Sequence, residues 1–289
     1  MSKRRIFDCF TFFNEIDLLR LRIEWLRDVV DFFVIAEASR TFTGKKRTPE
    51  FRFEDYDIDR YRIRYVLVDD LADAGGDAWS NERLQRNAIL RGLFDLRGQD
   101  LIHVSDVDEI PAADVFERYR DWWISAALDQ KLYYYQYNNL VVNSDSGSAV
   151  SWTGAKISTG RNLSRVWRTP DNLRRKILGN KNTWNRLQFK LTHRVISDAG
   201  WHWSYLMPPE QIAGKIQAFS HTEFSGSEFS SVEAVRRRVE GGLDPFDRGY
   251  KLKPVPVSGE FPRPLAEIIH RRFKGYVRNC SGAGPCEGS

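Results

Sequence analysis

Two carboxylates two residues apart, Asp106 and Asp108 in Ser105-Asp-Val-Asp-Glu-Ile-Pro111, are the residues of this 289-residue chain best suited to chemistry. In an extended segment side chains repeat every second residue, so both project to the same side. A pair of hard oxygen donors suits Mg2+ or Mn2+, ions that usually also take phosphate oxygens from a substrate. The same pair could instead cap a helix. Two further Asp-x-Asp matches, Asp55-Tyr-Asp57 and Asp57-Ile-Asp59, lie in a polar segment with no strand ahead and read as loop or turn residues. Only the match at 106–108 follows an apolar run and precedes a turn closed by proline.

Other residues invite weaker readings. Glu37 could accept hydrogen bonds from a base or ribose, or simply close a strand with a salt bridge. Arg83, Arg86 and Asn87 share one helix face at i, i+3 and i+4. They could meet a diphosphate or sugar, or form a solvated face on which Glu82 pairs with Arg86. Trp201-His202-Trp203 sets a common metal ligand between two stacking surfaces, although a lone histidine is often structural. Asp198 and Glu223, near His202 and His221 in sequence, are carboxylates that could act as a general base. His103 falls inside a strand pattern and reads as a core histidine. No G-x-x-x-x-G-K-[ST], G-x-G-x-x-G or G-x-S-x-G pattern occurs, which removes the footing for P-loop, Rossmann and α/β-hydrolase readings.

The elements that must position these groups alternate. Arg5–Phe13 reads as a strand, and Asn14 is placed to cap a helix whose apolar residues Ile16, Leu19, Ile23, Leu26 and Val30 recur at helical spacing. Asp31–Ser39 reads as a buried parallel strand ending at Glu37, and residues 63–68 as another closed by Asp69-Asp70. A helix over about 80–96 and a strand over 101–105 follow. This order predicts an α/β fold with a mostly parallel central sheet flanked by helices, whose ligands sit beyond the strands' carboxyl ends. Glu37, Asp69 and Asp106 all fall on that rim. The second half is less regular. Tyr133–Val142 predicts a strand or hairpin, and residues 150–157 and 188–196 predict strands. Helices are expected over 208–219, 230–240 and 264–277. With no repeat and no linker, residues 1–277 read as one domain, with a Gly-rich tail at 278–289.

Charge is uneven. Residues 1–150 carry 21 Lys/Arg against 27 Asp/Glu, a net −6, whereas residues 151–289 carry 23 against 12, a net +11. From Lys156 to Arg194 eleven basic residues face only Asp171. Such a stretch could attract a phosphorylated ligand or a lipid surface, or be a solvated face. No nucleic-acid-binding motif accompanies it, so nucleic acid is not an expected partner. Cys9, Cys280 and Cys286 form no disulfide framework, no spanning segment is present, and Met-Ser-Lys-Arg-Arg-Ile is not the start of a signal peptide. A reducing, cytoplasmic setting is expected, with peripheral membrane contact allowed.

Several blocks in order resemble glycosyltransferase family 17: Phe7-Asp-Cys-Phe-Thr-Phe-Phe-Asn-Glu15 with Leu18-Leu19, Val34-Ile-Ala-Glu-Ala-Ser39, Thr41-Phe-Thr-Gly44 and Asp106-Val-Asp-Glu-Ile-Pro111. Ala199-Gly-Trp-His-Trp-Ser-Tyr205, Pro209-Glu-Gln-Ile212 with Lys215, and Gly241-Gly-Leu243 continue it. The resemblance implies a GT-A fold, a nucleotide-sugar donor such as UDP-N-acetylglucosamine, Mn2+ or Mg2+, and inversion at the anomeric carbon. Carried over by position, Asp106, Asp108 and His202 are the expected metal ligands. Glu37, Arg83, Arg86, Asn87, Asp106 and Trp201 are expected at the donor. Glu109, Glu223 and Asp198, in that order, are the candidate bases. The expected acceptor is a glycan hydroxyl, on a lipid-linked or surface glycan. Rival classes are a metal-dependent nucleotidyl- or phosphotransferase and an inactive glycan-binding scaffold.

Overall fold

A computed structural model describes residues 3–73, 77–179, 181–218 and 226–279. In chain order the first elements are β1 (Ile6–Phe12), α1 (Ile16–Leu26), β2 (Phe32–Ala38), α2 (Ile58–Tyr61), β3 (Ile63–Val68), α3 (Ala78–Ala88), β4 (Leu101–Asp106), β5 (Glu109–Pro111) and α4 (Val115–Arg118). There follow β6 (Ser125–Leu128), β7 (Gln130–Tyr134), β8 (Asn139–Asn143), β9 (Ser151–Trp152), β10 (Lys156–Thr159), α5 (Gly160–Asn162), α6 (Pro170–Arg174), α7 (Thr183–Thr192) and β11 (His193–Ile196). The last are β12 (Gly200–Ser204), α8 (Pro209–Ala218), α9 (Ser227–Ser230), α10 (Val232–Gly241), β13 (Tyr250–Pro254), α11 (Val257–Glu260) and α12 (Arg263–Arg272).

Contacts between residues divide the chain into two compact units, one of Met1–Gln130 with Thr153–Gly200, the other of Lys131–Trp152 with Trp201–Ser289. The first holds a seven-stranded sheet in the order β11-β6-β10-β4-β1-β2-β3. Within it β4, β1, β2 and β3 run parallel, β10 is antiparallel to both neighbours, and β11 is parallel to β6. The sheet is thus mostly parallel, as the strand–helix alternation predicts. Its two faces are separate cores, because alternate residues point to opposite sides. Phe10, Phe12, Phe33 and Ile35 pack with α1 residues Leu19, Ile23 and Leu26 on one face. Phe7, Cys9, Val34 and Ala36 pack with Ala88, Ile89 and Trp167 on the other. In the second unit β13, β8, β7 and β12 lie side by side. Their core joins Leu132, Tyr134, Tyr135 and Val141 to Ile212, Ile216 and Val235 of the α8 and α10 helices.

Three local expectations are corrected. Asn14 does not cap α1; the residue before the helix is Glu15, whose carboxylate accepts from the Phe13 and Asn14 amides at 3.1 and 3.0 Å. The helix expected over 80–96 ends at Ala88 and tightens into a 3-10 turn at Ile89–Gly92, where a Cβ on Gly92 would stand 2.4 Å from Val34. The strand expected over 188–196 is mostly helix: α7 runs to Thr192 and only His193–Ile196 is extended. Tyr133–Val142 resolves into two strands, β7 and β8, and so is the hairpin reading. The predicted tail from residue 280, with Cys280 and Cys286, lies outside the described residues.

Candidate functional site

The first unit places Asp106 at the carboxyl end of β4, between β1 and β10. Its carboxylate, about one-third exposed at 35%, is held from three directions. The Thr11 hydroxyl, from the register-paired residue on β1, donates to Oδ1 at 2.9 Å. Arg86 of α3 lies 3.4 Å from the same oxygen, and Arg174 of α6 donates to Oδ2 at 2.6 Å. Burial alone would raise Asp106, but Arg174 and then Arg86 outweigh it and lower the carboxyl to about 2. Asp106 is therefore an anion across the neutral range.

Each arginine is itself anchored. Arg86 is buried and also binds Asp171 at 2.8 Å and Glu82 at 2.8 Å. Arg174 grips Glu109 with both terminal nitrogens, one of them at 2.7 Å to Oε1. Glu109 is fully buried, and its Oε2 also accepts the Asp106 amide at 3.1 Å. Asp108 is buried at 7% exposure. The turn thus presents carboxylates at 106, 108 and 109 against two guanidiniums, an arrangement suited to exchanging partners with an incoming phosphate–cation pair.

Beneath the turn lies Arg22, fully buried on the apolar face of α1. One terminal nitrogen donates to the backbone carbonyls of Asp106, Val107 and Glu109 at 2.9, 3.1 and 3.2 Å. The rest of its fork holds Asp8 at 2.8 and 2.6 Å and the Ser105 hydroxyl at 2.7 Å, while its guanidinium sits 4.2 Å over the Phe10 ring. His103 Nδ1 lies 2.8 Å from Asp8, and because a carboxylate only accepts, that nitrogen donates. Burial pushes Asp8 up, yet Arg22 and His103 prevail and it falls to about 2; burial keeps His103 below its ordinary value. Trp25, one turn further along α1, donates to the Pro111 carbonyl at 3.0 Å. One helix therefore shapes the whole 106–111 segment.

Lys156 of β10 is another buried cation of this unit. Its ammonium donates to the carbonyls of Thr153 and Gly154, the latter at 2.6 Å. Burial, with Arg174 adding to it, lowers it to about 7.

The remaining candidates fall as follows. Asn87 is beside the cluster, where its Oδ1 accepts the Asp171 amide at the start of α6 at 3.1 Å. Arg83 points outward on the same helix and pairs loosely with Asp77 at 3.7 Å. Glu37 is fully buried and accepts from Arg47 at 3.0 Å, from the Glu50 and Phe51 amides, and from the Tyr65 hydroxyl at 3.0 Å. Asp57, one of the alternative Asp-x-Asp residues, caps the short α2 by accepting from the Arg60 amide at 3.0 Å. Asp198 stands exposed between β11 and β12 at φ 46°, and its carbonyl accepts from Arg118. Trp201 and His202 belong to the second unit, both on β12 and both buried. Trp201 stacks on Trp203 at 5.6 Å, and the His202 ring lies 4.9 Å from Trp152 with Nε2 3.0 Å from the Ser204 hydroxyl. Glu223 and His221 lie outside the described residues. Among the described residues no group of three or more His, Cys, Asp or Glu side chains converges as a metal nest.

Sequence reasoning passes over Arg22, Asp171 and the particular role of Arg174. A signal for Arg22 exists: it stands three residues after Leu19 and four before Leu26, a charge on the face that must be buried.

The sequence model described as Glycosyltransferase family 17 matches residues 1–158. The β-1,4-mannosyl-glycoprotein 4-β-N-acetylglucosaminyltransferase of Rattus norvegicus is 32% identical over 131 residues, covering 42% of this chain and 24% of that protein. Its Homo sapiens counterpart is 32% identical over 131 residues, covering 42% and 25%. The match thus spans about a quarter of the length of these curated relatives. Among solved structures, 4-diphosphocytidyl-2C-methyl-D-erythritol synthase of Anaerococcus prevotii shares 13% identity at a TM-score of 0.32, over 67% of this chain and 89% of that one. The 2-C-methyl-D-erythritol 4-phosphate cytidylyltransferase of Francisella tularensis shares 11% at 0.34, over 68% and 90%. Likenesses of that size carry no argument about function.

Proposed function

The chain belongs to glycosyltransferase family 17, and on that footing we propose that it moves a sugar, N-acetylglucosamine from UDP-N-acetylglucosamine, onto a glycan hydroxyl with inversion. The observation that carries this reading is the Asp106-Val-Asp108 turn at the end of a central parallel strand, lying inside the matched residues and held against Arg86 and Arg174. The N-acetylglucosaminyltransferase activity for which the relatives are named supports the choice of sugar.

The donor set fits Mn2+ or Mg2+ in kind. Both turn carboxylates are hard oxygen ligands, and Mg2+ sites usually take one or two carboxylates plus substrate phosphates. Asp106 and Asp108 are the carboxylates that would hold the ion, and Asp106 also receives Thr11, Arg86 and Arg174. When bound, the ion supplies Lewis-acid stabilisation to the charge building on the departing nucleoside diphosphate.

The residues themselves orient and neutralise. In the displacement the acceptor oxygen bonds to the anomeric carbon while the bond from that carbon to the diphosphate breaks, its electron pair leaving with UDP. Arg174 and Arg86 stand where guanidiniums can share the anionic diphosphate. A carboxylate takes the acceptor's proton. Glu109 is the candidate closest to the turn, and it can serve only once Arg174 has turned from it toward the donor, because both its oxygens are engaged.

The test is UDP release from a panel of UDP- and GDP-sugars, with Mn2+ or EDTA, for the wild type and Asp108→Ala. Turnover of UDP-N-acetylglucosamine that falls at least about a hundredfold in the variant and with EDTA is expected. Turnover untouched by Asp108→Ala would refute the site, and transfer of a nucleotidyl or phosphoryl group in place of sugar would favour the phosphotransfer class.

A further inference from the structure

The face of α7 is wrongly dressed for water. Trp184, Leu187 and Leu191 are 69%, 48% and 58% exposed and recur at i, i+3 and i+7, one stripe along the helix. The opposite side seats the helix, with Asn185 buried and Phe189 packed edge-on to Trp167 and stacked on His193 at 5.0 Å. Lys190 and Arg186, both exposed, stand to one side of the stripe, about 60° and about 100° around the helix from Leu187 at about 100° per residue. The edge strand that follows continues the pattern: Val195 is exposed, and the Arg194 guanidinium sits 5.3 Å from the exposed Trp122 ring. Exposed Arg165, Arg168, Arg175, Lys176 and Lys181 lie earlier in the same basic stretch.

We propose that α7 and the head of β11 dock this protein on an anionic lipid surface, with Trp184, Leu187 and Leu191 entering the headgroup boundary and Arg186, Lys190 and Arg194 lying against lipid phosphates. An apolar stripe with an aromatic residue, flanked by arginine and lysine on a helix too short to span, is the pattern of an interfacial helix. Charge complementarity selects the occupant: between Lys156 and Arg194 nine cations remain once the buried Lys156 and the largely buried Arg174 are set aside, and the one acid of that stretch, Asp171, is itself buried against Arg86, so a bilayer carrying negative headgroups is the matching partner. An apolar protein partner would match the stripe but leave that excess unanswered. No helix among the described residues is long and apolar enough to cross a membrane, so contact through this face would be peripheral. The inference does not depend on the donor or acceptor proposed above.

The test is co-sedimentation of the full chain with vesicles of phosphatidylcholine alone or with about one-third phosphatidylglycerol. Two variants are compared at positions already in water: Trp184→Ser with Leu187→Ser and Leu191→Ser, and Arg186→Glu with Lys190→Glu. Wild type should partition to the anionic vesicles, and each variant should lose at least about tenfold in partitioning. A wild type that stays in the supernatant, or variants that bind equally, would overturn the proposal. Binding lost only in the charge variant would show simple adsorption of the basic stretch and would overturn docking through this face. A dimer abolished by the serine variant, without vesicle binding, would assign the face to a second copy instead.

Discussion

Replacing Arg22 with methionine should be the most damaging single change that leaves every residue of the Asp106–Glu109 turn in place. The variant keeps an apolar stem in the core but removes the guanidinium from the Asp8 carboxylate, which is fully buried, takes two of the arginine's bonds and is left with the His103 Nδ1 bond. Leaving one partner of a buried ion pair costs about 3–5 kcal/mol. The three turn carbonyls lose their shared donor, adding about 1 kcal/mol or more, for a total of about 4–6 kcal/mol at pH 7. The pH dependence carries a second signature. In the wild type Asp8 lies at about 2 against an ordinary 3.8, so its stabilisation is present above 3.8 and is lost as pH falls through about 2. Without Arg22, burial, the largest influence on Asp8, is opposed only by the smaller effect of His103 and drives Asp8 above 3.8, so the variant loses stability as pH rises. The gap between the two proteins should therefore widen from pH 4 to pH 7. Urea unfolding followed by tryptophan fluorescence at both pH values measures it. Adding Asp8→Asn to Arg22→Met should recover about 2 kcal/mol, since no charge is then left alone. A loss below about 1 kcal/mol at pH 7, or a double variant no better than the single, would refute the reasoning.

Two further outcomes test the packing around the site. Gly200 has φ 131°, and a Cβ there would stand 2.2 Å from the Ile110 carbonyl and 2.8 Å from the Ala112 amide nitrogen. Gly200→Ala should cost about 3 kcal/mol by combining backbone strain with overpacking, read as a lowered urea midpoint; an unchanged midpoint would sink the close-approach argument. Lys156, lowered from 10.5 to about 7, loses stability as pH falls from above 10 through about 7, because the unfolded chain binds the proton more readily. Lys156→Met should therefore gain about 2 kcal/mol more relative to wild type at pH 6 than at pH 9, and equal differences at both would show that Lys156 is not depressed.

The framework of the first unit was readable because its signals are local. Residues 32–36 form an unbroken apolar run, and the helix before them repeats apolar residues every three or four positions, so neither depends on knowing what packs where. The turn at 106–108 was readable for the same reason, a strand followed by two spaced acids. Glu37 shows where such reading stops. A carboxylate at a strand end can face a ligand or fold inward, and here Arg47, two amides and Tyr65 draw it inward from residues 10 to 28 positions away. Arg174 was visible only as part of a basic stretch, since its pairing with Glu109 spans 65 residues. The error over 188–196 has a different origin. The exposed Leu191 raises the apolar content of that stretch without being core, and the β-favouring residues that do form a strand begin only at the end of α7.

The segment from Asp106 to Glu109 connects two strands and would ordinarily count as a surface loop, yet it behaves as part of the framework. Its carbonyls are tied to a helix more than 80 residues earlier, the Val107 amide to the Thr11 carbonyl at 3.1 Å, and the Asp106 amide to Glu109. Local fraying cannot release it without also opening α1 and β1. The carboxylates of the turn are thereby presented ready-made, so ligand binding need not pay to order them, and nearby mobility must come from the side chains of Arg174 and Arg86.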